Sequence, residues 1–179
     1  MALAVLRRCL SFLRLALFCF LGVQFLATSA YAEPAAEPSP ELSPEQVVRI
    51  QLEALADNDD PSQDAGIEQV WAFAHPNNRE MTGPLERFTR MIKGRNYRTL
   101  INHRSYALQR VALTDAVAVY AVRVLAADGS FYGFSWHLRT AEISAGEVWM
   151  TTIVSPAEDT GEQISQLERS NLGIVAQAD

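Results

Sequence analysis

The sequence predicts an α+β domain in which N-terminal helices pack on one face of a curved, four-stranded antiparallel sheet. Apolar residues recur at helical spacing between residues 44 and 94, and they alternate with polar residues after residue 97. The chain has 179 residues, of which 49% are hydrophobic and 20% charged. This composition is typical of a globular protein, and helices followed by an antiparallel meander form the two layers of an α+β fold.

The first 32 residues are typical of a secretory signal peptide. They contain three arginines and no acid, followed by an apolar run over residues 15–26. The small residues Ala30 and Ala32 predict cleavage between Ala32 and Glu33. An uncleaved membrane anchor is the alternative, although the run is shorter than the ~20 residues of a spanning helix.

Cleavage would also remove both cysteines, so the mature chain would have no disulfide, thiol nucleophile or thiolate metal site. Because three arginines and no acid leave, the mature chain would be more acidic than the full chain, whose net charge is −6. An acidic surface opposes binding to phosphate backbones. We therefore expect no nucleic-acid partner, and contact with the membrane only through the transient signal peptide.

The folded domain is predicted to begin after a proline-rich linker at residues 33–43 and to cover residues 44–157. Ser43 is the expected N-cap of the first helix, with Pro44 at its first position and Gln46 completing a capping box. An apolar stripe follows at helical spacing and consists of Val48, Leu52 and Leu55.

Two shorter helices are predicted next. Asp64 is the expected N-cap of the second helix, which would end before Pro76. Gly83 and Pro84 open the third helix, which would end at Gly94. Between these two helices, residues 75–83 are predicted to form an exposed polar loop.

Four strands are predicted over residues 103–113, 116–127, 131–140 and 147–154. The pair Asp128-Gly129 is a hairpin signal between the second and third strands. Alternation in the third strand places one set of side chains on the core face, namely Tyr132, Phe134, Trp136 and Leu138. The chain from residue 158 to 179 is predicted to be a polar tail with a weak helical pattern around residues 164–172.

Residues 71–79 (WAFAHPNNR), 82–88, the Asp128-Gly129 turn and the Trp149-Met150 strand resemble the domain-of-unknown-function 4864 family over residues 43–157. The resemblance is strongest to exported members of cyanobacteria and plastids, which implies the periplasm or the thylakoid lumen. It supports a compact α+β fold and supplies no catalytic motif. The order of elements also resembles the cone of nuclear-transport-factor-2-like and cystatin-like proteins, which leaves a cavity between helix and sheet.

The candidate binding residues lie in and around the 75–83 loop and at the entry to the sheet; they are His75, Asn77, Arg79, Arg87, Tyr97 and His103. His75 is expected to end the second helix, where an imidazolium would favour the negative end of the helix dipole. Asn77 and Arg79 could offer a fork of donors to a partner. The alternative is that Asn77 makes a turn and Arg79 pairs with a surface acid.

Other candidate sites are weaker. The acidic segment 57–64 has the spacing of a calcium loop at Asp57, Asp59 and Glu68, but Pro61 and Ser62 stand where a ligand and a glycine belong. We therefore expect a solvated loop there. His137 is expected on the solvent face of its strand, and no two histidines have the spacing of a zinc pair. We expect no metal and no cofactor.

Two function classes remain open. The first is a non-enzymatic exported binding or assembly module whose protein partner contacts the 75–83 surface. The second is a small-molecule-binding or enzymatic cone, with a pocket between helices and sheet near Tyr97 or His103. A homodimer formed through the open sheet face is a further alternative.

Overall fold

Four helices precede an antiparallel sheet in the computed structural model, which describes residues 35–144 and 146–163. The helices are α1 (Pro44–Ala56), α2 (Ala65–Ala72), α3 (Pro76–Thr82) and α4 (Leu85–Ile92), followed by a 3₁₀ turn at Arg98–Leu100. The strands are β1 (Ser105–Leu113), β2 (Val117–Leu125), β3 (Ser130–Ile143), β4 (Gly146–Val154) and β5 (Glu158–Gln163). This order confirms the predicted α+β class.

The sheet is a meander with the order β1-β2-β3-β4, and each neighbouring pair is antiparallel. One edge of the long strand β3 pairs with β2 over residues 131–139. The other edge is shared, because β4 pairs with residues 136–143 and β5 pairs with residues 130–133. The turn between β2 and β3 contains Gly129 at a φ of +85°, which confirms the predicted Asp-Gly hairpin.

The core lies between α1 and the inner face of the sheet. Ser43 accepts a hydrogen bond from the Gln46 backbone and Gln46 accepts one from the Ser43 backbone, so the predicted capping box is present. The apolar stripe of α1 is fully buried, as are its large partners on the sheet; these residues are Val48, Leu52, Leu55, Tyr120, Trp136 and Leu138. Burying each such side chain contributes roughly 1.5–3 kcal/mol of transfer free energy.

Two elements differ from the prediction. Residues 76–82 form helix α3 instead of an exposed loop, because Pro76 occupies the first position of a new helix, four residues after Ala72, where α2 has ended. The predicted polar tail begins with strand β5, which extends the folded unit past residue 157. Four helices and five strands are therefore described, where three helices and four strands were predicted. The helical pattern at residues 164–172 lies outside the described residues.

The described part of the linker packs on the domain. The Ala36 carbonyl accepts a hydrogen bond from Gln69 Nε2 at 2.7 Å, and Leu42 contacts the core cluster. These residues are therefore not a free spacer. Within residues 35–144 and 146–163, the helices are too short or too polar to cross a membrane.

Candidate functional site

A cavity of about 220 Å³ lies between the helices and the sheet. Helices α2, α3 and α4 surround it on one side, and β3 and β4 on the other. Its walls are buried and apolar, formed by Leu55, Val70, Phe88, Ile92, Leu100 and Trp136. These residues lie on the inward faces of their helices and strands. The cavity is therefore a gap within the hydrophobic core.

The mouth of the cavity carries apolar side chains that are open to solvent. Met81 on α3 is 76% exposed and Ile153 on β4 is 59% exposed, although both line the cavity. Met91 on α4 lies half-buried beside them. Unbranched methionine side chains adapt to differently shaped neighbours, so this entrance can adjust to a ligand.

A β-bulge shapes the sheet side of the cavity. The register of β3 against β4 shifts between His137 and Leu138, which leaves Thr152 as an extra residue on β4. In a regular strand, successive side chains point to opposite faces. Here four consecutive residues, 151–154, all line the cavity, as a bulge re-aims the chain locally.

A buried polar network lies at the base of the cavity. Thr151 Oγ1 donates to Gln51 Oε1 at 3.1 Å and accepts from Trp136 Nε1 at 3.1 Å. Gln51 Nε2 also donates to the Val47 carbonyl at 3.0 Å. Both Gln51 and Thr151 are almost fully buried, so these hydrogen bonds offset the cost of removing their polar atoms from water.

Three polar side chains lie nearer the rim. Asn78 Nδ2 donates to the Thr151 carbonyl at 3.2 Å, and Thr82 Oγ1 donates to the Asn78 carbonyl at 2.7 Å. Tyr97 Oη donates to the Val154 carbonyl at 3.1 Å. Burial raises the pKa of Tyr97, so its hydroxyl group stays protonated at neutral pH.

The cavity contains no charged side chain among the described residues that line it. Its polar groups are hydroxyls, one indole and one amide. Such a lining can hold an apolar molecule and orient one polar group of that molecule. It does not offer a carboxylate, an imidazole or a thiolate to take up a proton or attack a substrate.

His75 lies at the start of α3 and not at the end of α2, which corrects the prediction for this residue. Its Nδ1 accepts a hydrogen bond from the Asn77 backbone N–H at 3.2 Å, so the ring caps the helix N-terminus. A positive charge is disfavoured at this end of a helix dipole. Burial, followed by the charge of Arg139, lowers the pKa of His75. The Asn77 side chain itself is exposed.

Arg79 points into the molecule. Its Nε and Nη2 donate to the Trp71 carbonyl at 3.2 and 2.8 Å, and Nη2 also donates to the Ala72 carbonyl at 2.8 Å. The guanidinium lies over the Trp71 ring, 5.3 Å from its centroid. These donors therefore satisfy the C-terminus of α2 and do not face a partner. Arg87, in contrast, is exposed on α4.

The structure separates the two residues predicted near the pocket. Tyr97 lines the cavity, whereas His103 does not. His103 is 5% exposed, and its Nδ1 lies 2.8 Å from the Leu100 carbonyl. Its Nε2 is buried without a hydrogen-bond partner, and burial lowers the pKa of His103. Its ring also meets Tyr106 edge-on at 5.9 Å.

The acidic segment forms a compact turn between α1 and α2. Asp64 is the N-cap residue of α2, as predicted, with a φ of +65° and without a side-chain capping bond. The Asp64 carboxylate pairs with Lys93 Nζ at 2.7 Å, and this hydrogen bond lowers the pKa of Asp64. Asp59 accepts from the Asp64 N–H and from Asn58 Nδ2. Over the described ranges, these acids form no cluster suited to a metal ion.

Sequence reasoning missed Asn78, Thr82, Thr151 and Thr152 as cavity residues. One signal was available: Gln51 stands on the buried stripe of α1 between Val48 and Leu52, where an apolar residue is expected. A polar residue on a buried stripe indicates a polar partner elsewhere in the core, which here is Thr151. The predicted cleavage residues Ala32 and Glu33 lie outside the described residues.

Comparison with known proteins identifies the family of the chain. A family model for a domain of unknown function, DUF4864, matches residues 40–162, and the chain belongs to this family. This confirms the family resemblance seen in the sequence, whereas the exported cyanobacterial or plastid type stays a prediction. No curated protein and no solved structure matches the chain. The likeness to nuclear-transport-factor-2-like cones therefore stays a prediction.

Proposed function

We propose that this member of the DUF4864 family is an exported, non-catalytic binding module that holds an apolar small molecule between its helices and its sheet. The observation that supports this proposal most directly is the cavity of about 220 Å³, with apolar walls and a mouth open at Met81 and Ile153. Ligand sites are typically concave and apolar, with a few polar groups that orient the ligand.

The absence of charged groups from the described cavity lining favours binding over catalysis. Among the described residues that line the cavity, Tyr97 alone has a titratable side chain, and its hydroxyl already donates to the Val154 carbonyl. A general base needs a free acceptor with a pKa near the working pH. Export to the periplasm or thylakoid lumen is proposed from the signal-like pattern of residues 1–32.

Calorimetric titration with naphthalene tests the proposal, using one cavity-filling variant and one matched control. Ala74 is buried and lines the cavity, so Ala74→Leu places three further carbon atoms in the space for the ligand. Ala121→Leu makes the same change on an exposed position of β2. We expect naphthalene to bind the parent protein and Ala121→Leu, and to bind Ala74→Leu at least tenfold more weakly. Equal binding to all three proteins would place the ligand elsewhere and contradict the proposal.

A protein partner is the second candidate, favoured by the exposed apolar side chains at the mouth of the cavity. Met81 and Ile153 are exposed at the cavity mouth, and Asn77 lies one turn before Met81 on α3. Exposed apolar patches often mark interaction sites. Arg79 stabilises the C-terminus of α2, so its substitution could weaken the fold as well as the surface. Substitution of the exposed Asn77 tests the surface alone. Under this candidate, Asn77→Ala and Met81→Ser would reduce the amount of a stoichiometric partner recovered with the tagged protein from its native cells. Recovery of the same partner at unchanged yield would exclude this surface.

A further inference from the structure

We infer that the cavity selects an uncharged ligand of one or two rings that carries a hydrogen-bond donor, such as a hydroxyl group. This inference rests on the proposed function, because it names the chemistry of the molecule that the cavity would hold. It depends on three properties of the lining: its volume, its lack of charge and the balance of its hydrogen-bonding groups.

The volume sets the size of the ligand. An apolar cavity of about 150 Å³ in another protein holds benzene, and pockets for drug-sized molecules begin near 300 Å³. A cavity of about 220 Å³ lies between these two cases. The flat side chains of Trp136, Phe88 and Tyr97 around it favour ring-shaped molecules, since aromatic faces and edges pack well against one another.

The lack of charge excludes ionic ligands. A carboxylate or an ammonium group that entered the cavity would lose its hydration shell. None of the described lining residues carries an opposite charge to compensate for that loss. Fatty-acid and amine ligands would therefore bind with their charged group outside the cavity or would not bind.

The hydrogen bonds already made by the lining residues show whether a ligand should donate or accept a hydrogen bond. Asn78, Thr82 and Tyr97 near the rim each donate to a backbone carbonyl of the protein. The donors of Trp136 and Thr151 at the base are used in the buried network. Thr152 Oγ1 donates to the His137 carbonyl. Of these groups, only the Asn78 amide has a further hydrogen to give.

Acceptor capacity remains on the same rim. The hydroxyl oxygens of Tyr97 and Thr82 keep lone pairs that a ligand could use, because a hydroxyl oxygen accepts as well as donates. Asn78 Oδ1 lies 3.2 Å from Thr82 Oγ1, and an amide oxygen with one such contact can accept a second hydrogen bond. The rim therefore has three oxygen atoms that can accept a hydrogen bond and one amide hydrogen left to donate. This balance favours a ligand that donates a hydrogen bond. A hydroxyl group on a ring can reach this rim while the ring occupies the apolar walls.

Three compounds with the same two-ring skeleton separate these properties: naphthalene, 1-naphthol and 1-naphthoate. Calorimetric titration at pH 7 is expected to show 1-naphthol binding several-fold more tightly than naphthalene and at least tenfold more tightly than 1-naphthoate. Binding of 1-naphthoate as tight as that of 1-naphthol would overturn the exclusion of charge. Equal affinities for naphthalene and 1-naphthol would overturn the role of the donor. If none of the three binds, the proposed function fails, and this inference fails with it.

A double variant identifies the acceptors. Tyr97→Phe with Thr82→Val removes two rim oxygens and leaves the apolar walls in place. We expect this variant to bind naphthalene as the parent does and to lose most of the advantage of 1-naphthol. Tyr106→Phe removes a hydroxyl that lies outside the cavity lining and should keep that advantage. Naphthalene binding reports that the variants are folded, and a preserved 1-naphthol advantage in the double variant would overturn the assignment of the rim oxygens.

Discussion

The Arg79 guanidinium connects the C-terminus of α2 to helix α3. It donates to the carbonyls of Trp71 and Ala72 and covers the Trp71 ring. Carbonyls at the end of a helix have no partner within the helix, and a cation there also complements the helix dipole. This side chain therefore contributes to stability, and its sequence neighbour Asn78 extends the same connection to β4.

Replacement of Arg79 by methionine is expected to lower the free energy of unfolding by ~1.5–3 kcal/mol, the usual range for hydrogen bonds to a charged group. Methionine keeps much of the apolar stem, so the loss reports the guanidinium contacts. Arg87→Met, on the exposed face of α4, should change stability by less than ~0.5 kcal/mol. Urea denaturation measures both. Equal stability of the two variants would show that the Arg79 contacts add no stability, and would favour the prediction from the sequence that Arg79 acts at the surface.

The lowered pKa values of two histidines predict that the protein loses stability in mild acid. Burial lowers the pKa of His103 and of His75 below the ordinary value of 6.5. Between the two pKa values, the folded state binds fewer protons than the unfolded state. The stability that depends on the neutral histidines is therefore fully present above pH ~6.5 and is lost as the pH falls toward the folded pKa. Each histidine contributes a slope of at most ~1.4 kcal/mol per pH unit.

Unfolding free energies measured by urea denaturation between pH 8 and pH 5 test this prediction. His103→Gln should flatten the slope between pH 6.5 and pH 5, and a second change, His75→Gln, should flatten it further. The slope is compared within each protein, so a lower overall stability of a variant does not affect the result. A parent protein whose stability rises as the pH falls through 6.5 would contradict the assignment.

At the scale of elements, local signals predicted some boundaries and missed others. The α1 start was correct because Ser43, Pro44 and Gln46 act within one turn. Helix α3 was missed because a proline can either stop a preceding helix or open a new one, and Pro76 acts only in the second way. Strand β5 has the sequence EDTGEQ, without the apolar alternation that marks a half-buried strand. Its position depends on pairing with β3, which no local pattern shows.

Strand β5 should contribute measurably to stability although most of it is polar. It pairs with Ser130, Tyr132 and Gly133 of β3, and Thr160 Oγ1 donates to the Phe131 carbonyl. A chain ending at residue 157 loses these hydrogen bonds and should be less stable by at least ~1 kcal/mol, the typical net contribution of one such bond. A chain ending at residue 163 keeps β5 and is the control. Equal stability of the two shortened chains in urea would show that β5 adds nothing.

At the scale of the molecule, the cavity combines parts that are distant in the sequence. Its lining runs from Leu55 on α1 to Val154 at the end of β4. Sequence periodicity predicted which faces turn inward, and it also allowed a pocket between helices and sheet. It could not show that the inward faces leave about 220 Å³ unfilled, since that depends on how α2, α3 and α4 pack around the β4 bulge.

The place where the molecule works depends on the fate of residues 1–32. A basic start, an apolar run and the small residues Ala30 and Ala32 predict removal by signal peptidase. Protein isolated from its native cells should therefore begin at Glu33, as N-terminal sequencing or intact mass would show, and Ala32→Arg should block cleavage and leave the longer chain in the membrane fraction. A parent protein that keeps Met1 and sediments with membranes would instead support the anchor alternative.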